Sequence, residues 1–407
     1  MRTTGGVVGG LILLAGMAKG STTDDYYSVQ NGYWDQASTW TSPAPAAFGY
    51  PRTGDVAHVY HEITLTDQVA CAGAHVAGRL SIAESGYLNI HELARFYGAR
   101  IDGPGGFTTR GDTVFTGTSS FVSSPWLNVG QVAFVDTPSF QLENTFANSA
   151  GATVRVDAAS FAISGTTGVG VVENHGTLRL EGGGAREAFF IVPLDIYGQF
   201  DLGNGHLCVV NEFTIDGGAI TLGPGSRFVA SGFGEHRYTD GTWVLGDGAV
   251  FEPVPPDGTA YFDGNIVSTG SGIWVINGGT ALVSHASATT TTFDVAGGYY
   301  WRAGEIDIPP GREAVNQGEF HVPGNGATQR LSGSFVNEGN LWLGSRTSLP
   351  AFFQFDVSLR NGYRGTATVE SSDFHWRGTG TFENAGTLRV ADGVTGSTAT
   401  TSFRMEN

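Results

Sequence analysis

Strand alternation would place Asp373, His375 and Arg377 on one face, with Trp376 between them and Glu370 just upstream. This is the best candidate catalytic patch that the sequence offers. A polysaccharide-cleaving site needs two carboxylates facing each other across the scissile bond, or an acid-binding metal with a basic residue to abstract a proton. Asp373, His375 and Arg377 could supply such groups. Tyr299, Tyr300 and Trp301, together with Trp376, could offer rings for a sugar to stack on. The competing reading of the charged patch is a solvated outer face, and that of the aromatic run is a stacked pile inside a core.

The remaining motifs are near misses. His61-Glu62 and His91-Glu92 each begin like the zinc-protease motif HExxH, but Leu65 and Arg95 stand where the second histidine ligand belongs. The sequence contains no Gly-x-Ser-x-Gly elbow, no phosphate-cradling Gly-Lys-Ser/Thr and no Gly-Gly-x-Gly-x-Asp calcium repeat. No metal site or cofactor is expected, and calcium on turn aspartates is a minor candidate. Thr289 to Thr292 is a single threonine run and not a lattice.

The elements that would position these groups come from an internal repeat. GTFENAGTLRVADG from Gly380 shares its frame with VVENHGTLRLEGGG from Val171, EAVNQGEFHVPGNG from Glu313 and GSFVNEGNLWLGS from Gly333. Landmark glycines such as Gly151, Gly176, Gly198, Gly218 and Gly241 recur about every 20 to 30 residues, the range of solenoid repeats. Period-two alternation, as in Leu178 and Leu180, makes each unit a set of short strands. Glycine accounts for 62 residues, about twice its usual share. One rung cannot bury its inward face alone, and stacking rungs closes a continuous core. The expected fold is all-β: a single-chain, right-handed parallel β-helix of irregular rungs.

Asn174, Asn316, Asn337, Asn361 and Asn384 occupy one frame position, and two explanations compete. Stacked carboxamides can form a hydrogen-bonded ladder, or Asn is simply tolerated in a left-handed turn before Gly. Cys71 and Cys208 lie about six rungs apart, too far for the Cα separation of a disulfide. EPVPPDGTAYFDG, from Glu252, is expected to project as a loop.

Residues 1–20 have the layout of a secretory signal peptide: Arg2, an apolar core from Val7 to Met17, then Ala18-Lys19-Gly20. Residues 21–69 differ from the rungs, with Trp34, Trp40, a proline-rich loop and Gly54-Asp55 before alternating Val56, His58 and Tyr60. This segment is similar to the opening of bacterial secreted β-solenoid proteins and, more loosely, to the glycine-rich G8 domain. A divergent cap there would cover the open end of the core. Residues 70–407 are expected to form the solenoid, and TTSFRMEN stops within the repeat frame, as a fragment of a longer protein would.

Lys plus Arg total 21 against 38 Asp plus Glu, a net charge of −17, which disfavours nucleic acid and anionic lipid as partners. No second apolar run is long enough to span a membrane, so insertion after signal cleavage is not expected. No Asn-x-Ser/Thr sequon is present. The repeat region resembles bacterial adhesins and autotransporter passengers, which implies a secreted or surface-displayed rod that meets extracellular polysaccharide or a host surface without catalysis. The alternative is a polysaccharide lyase or glycoside hydrolase on the same scaffold.

Overall fold

The computed structural model describes residues 24–43, 48–117, 119–181, 186–232, 234–285, 288–323, 326–344, 351–356, 358–370, 374–391 and 404–406. The expected signal peptide lies outside them. The chain is an all-β solenoid of about 14 turns, with 61% of residues in strands. A single 3-10 turn, Ala37–Thr39, is the only helical element among the described residues.

Strands pair in parallel with the strand one turn further along, over most of the body the third one on, so one turn has three faces; Ile273–Val283 and Tyr299–Asp307 each run across two of them. Face A carries Asp112–Thr116, Gln131–Val135, Thr153–Asp157 and Thr177–Leu180. Face B carries Ser120–Val122, Ser139–Leu142, Ser160–Ser164 and Glu187–Phe190. Face C carries Trp126–Asn128, Thr145–Asn148, Val171–Asn174 and Leu194–Ile196. The same order, A then B then C, repeats along the body.

Alternation sorts every strand into an inward and an outward row, and stacking brings like positions together. Inward Phe96, Phe115 and Phe134 lie one above another at 4.6 and 5.1 Å between ring centroids. Phe107, Trp126 and Phe146 form a second pile at 5.5 and 4.1 Å. One apolar core results, running from Tyr26 to Phe382. Offset ring stacking adds to the burial of these large side chains.

The corner glycines are there for space. A Cβ on Gly176 would come within 2.2 Å of the Ala152 carbonyl oxygen, and one on Gly339 within 2.3 Å of the Gly318 carbonyl oxygen in the turn below. Neither glycine has a positive φ, so close approach of stacked backbones, and not turn geometry, requires them.

At the N-terminal end, β1 (Asp25–Ser28) precedes β2 (Gly32–Tyr33) and β3 (Trp40–Thr41), and β3 folds back antiparallel on β1. Trp34 and Trp40 pack edge to face at 5.2 Å, and their indole nitrogens donate to the carbonyls of Pro51 and Trp34. Parallel stacking starts before residue 70: β1 already pairs with β4 (Val56–Val59), and β2 with β5 (Glu62–Leu65). The segment from Glu252 does not project. Val250–Val254 and Thr259–Asp263 are strands of the body, joined by a tight turn in which Pro256 and Asp257 are exposed.

Candidate functional site

The five asparagines of the repeat frame do not share one column. Asn174 ends a face C strand and belongs to a ladder at the corner from C to A. There Asn128 Nδ2 donates to Asn148 Oδ1 at 2.8 Å, and Asn148 Nδ2 to Asn174 Oδ1 at 2.7 Å. Asn316, Asn337, Asn361 and Asn384 end face A strands and form a second ladder at the corner from A to B, with steps of 2.7, 2.8 and 2.8 Å. Between the ladders the Asn174 column continues as Ile196, Ile215, Tyr238 and Phe262. None of the ladder asparagines has a positive φ, so hydrogen bonding and not left-handed turn tolerance accounts for them. Each amide also reaches a neighbouring backbone carbonyl, as Asn337 does to Gly339. Buried carboxamides satisfied this fully hold the corners together.

The aromatic run is split by alternation. Tyr299 and Trp301 are each 1% exposed and sit in the core, which removes them as sugar platforms. Tyr300 faces outward and stacks on His321 at 4.3 Å with parallel planes; His321 in turn stacks on Trp342 at 5.9 Å. Glu319 ties this column down by accepting from Trp342 Nε1 and Asn340 Nδ2. Because the rings stack on one another, their faces are largely occupied, and a sugar would meet their edges.

His375 and Arg377 lie on face C in register with Phe352 and Gln354, at alternate positions as the sequence implied. Trp376 is in register with Phe353, while Asp373 lies outside the described residues. Leu65, the residue that breaks the first HExxH match, is a fully buried core residue. His61 is engaged with Ser28 at 3.0 Å. Cys71 and Cys208 are free and buried, and burial pushes the Cys71 thiol up to about 12. No cluster of three or more His, Cys, Asp or Glu with metal-binding geometry occurs among the described residues.

The outer surface of face A holds a feature that motif reading missed. Arg95, Val114, Ala133, Arg155 and Arg179 stand in one outward column, rung on rung. Where the column shrinks to Val114 and Ala133 it leaves an open depression of about 480 Å³, lined also by Asp112, Gln131, Thr153 and Glu181. Arg179 Nε binds Asp201 at 3.0 Å, whereas Arg155 comes no closer than 3.9 Å to Glu181. Arg95 is exposed and makes no ion pair among the described residues. These arginines are far apart in sequence, and only the strand register aligns them.

Two other titratable groups serve the scaffold. Glu143 is desolvated, which raises its carboxyl, but donors from Thr167, Thr166 and Gln141 outweigh this and hold it at about 2. His236 is fully buried between Phe213 and Ala260 in its column. Burial lowers it to about 4, with the Ser231 backbone offsetting part of the effect. Comparison with known protein families, with curated proteins and with solved structures finds no match to this chain.

Proposed function

We propose that this protein is an exported, non-catalytic structural or adhesive rod of the bacterial adhesin and autotransporter-passenger type, with a G8-like opening segment, that meets polysaccharide or a cell surface. The observation that carries the reading is the unbroken three-face ladder over one continuous core. About 14 turns at about 4.8 Å each give a rod on the order of 65 Å long. Such a scaffold repeats outward side chains at a fixed spacing, which suits a long, regular partner.

The test is a screen of Ser21 to Asn407 against acidic and neutral polysaccharides, recording both binding and new reducing or unsaturated ends. Binding without new ends is expected. Product formation that disappears in His375→Ala or Arg377→Ala would replace this reading with a polysaccharide lyase or hydrolase.

A further inference from the structure

We infer that the depression over Val114 and Ala133 on face A binds a short stretch of an anionic polysaccharide, its carboxylate or sulfate groups held by Arg155 and Arg95. This rests on the reading of the protein as a polysaccharide-binding rod and names the class of ligand and the place. The floor is small and partly apolar, so a chain can lie close to the sheet, where Val114 and Ala133 contact its ring faces. Gln131 and Thr153 along one edge supply amide and hydroxyl groups for sugar hydroxyls.

Charge sets the class. The chain carries −17 overall, yet this column places Arg95 on one side of the small residues and Arg155 and Arg179 on the other. Lys19 is the one lysine in the sequence, so every lysine-or-arginine charge on the described rod is a guanidinium, the group whose planar fork matches carboxylate and sulfate oxygens. Arg179 is committed to Asp201. Arg155 meets Glu181 only at 3.9 Å, so it and Arg95 are the two least committed guanidiniums of the column. Asp112 and Glu181 also line the depression, where they accept from sugar hydroxyls and repel an anion placed off the arginine line. Arg95 and Arg155 are three rungs apart, roughly 14 Å, so the ligand is an oligosaccharide lying along the rod axis and not a single sugar.

The experiment measures binding of the full chain to a polygalacturonate oligosaccharide, to its neutral methyl ester and to single-stranded DNA. Wild type should bind the acidic oligosaccharide at least tenfold more tightly than the ester, and more weakly as salt rises. Arg155→Ala should weaken binding about tenfold, the loss of one charge-assisted pair. Ala133→Phe, which fills the depression without changing charge, should weaken it by more than that. Arg237→Ala, on face C and paired with Glu235, should have no effect. Acidic binding untouched by Ala133→Phe, equal binding of acid and ester, or equal binding of DNA would overturn the site while leaving the rod reading in place. Failure of wild type to bind any polysaccharide in the wider screen would overturn both the site and the polysaccharide-binding part of the rod reading, leaving a structural rod.

Discussion

The inner corner from A to B and the outer surface of face A belong to the same face in different parts of the rod: the corner ladder sits on Glu313–Asn316, Ser334–Asn337 and Ser358–Asn361, and the outer column on Asp112–Thr116, Gln131–Val135 and Thr153–Asp157. At the corner, Asn316, Asn337, Asn361 and Asn384 bond to one another, so each rung specifies its neighbour. On the outside, Arg95, Val114, Ala133 and Arg155 share a column without bonding to one another. The inner row therefore carries stability, and the outer row is free to carry recognition. Substitutions that separate the two effects sharpen this comparison, and any substitution that moves both together breaks it.

The largest expected effect is at the inner row. Asn337 is fully buried, and Asn337→Ala leaves the Asn361 oxygen without its donor and removes one ladder bond from the Asn316 amide, which keeps the Gly318 and Asn340 carbonyls. A cost of about 3 kcal/mol is expected in urea unfolding, one buried oxygen left unsatisfied and one ladder bond lost. Asn384, half-buried, should cost only about 1 kcal/mol as alanine.

Next is His236. Its folded pKa lies below the ordinary 6.5, at about 4, so the unfolded chain takes up the proton first. Stability is full above pH 6.5 and falls as pH drops from 6.5 to about 4, by about 3 kcal/mol. Comparing wild type with His236→Leu across that window isolates the effect, because the variant lacks this slope.

Glu143 acts in the same direction at lower pH. Its carboxyl sits at about 2 in place of 4.5, so its contribution is present above pH 4.5 and is lost as pH falls toward 2. The difference between wild type and Glu143→Gln over that range should be about 1 kcal/mol, since water screens part of the interaction. Ala133→Phe, on the outer row, should leave stability within about 0.5 kcal/mol of wild type.

The sequence makes the architecture legible because the Asn-x-Gly frame and period-two alternation report local geometry, and a parallel solenoid is local geometry repeated. Asn128 and Asn148 belong to a ladder, and Trp126-Leu127-Asn128 and Phe146-Ala147-Asn148 carry the same approach to the asparagine as Phe382-Glu383-Asn384. The frame cannot say which corner it occupies. Asn174 and Asn316 look alike because any of three nearly equivalent corners accepts the same turn, and telling them apart requires counting every intervening strand. Ile215 and Phe262, which hold the first corner by packing, give no motif to count. The aromatic run is different, since alternation alone forbids Tyr299, Tyr300 and Trp301 from all facing outward. The face A column was not legible, because Arg95 and Arg155 become neighbours of one depression only after insertions and turns of unequal length are aligned by backbone pairing.

One paired measurement decides the central claim: unfolding free energy and acidic-oligosaccharide affinity recorded side by side for Asn337→Ala and Ala133→Phe, sites about nine rungs or roughly 40 Å apart. The account predicts that Asn337→Ala loses stability yet binds like wild type while folded, and that Ala133→Phe keeps stability and loses binding. Ala133→Phe binding as well as wild type, or Asn337→Ala losing affinity in its folded state, would contradict it.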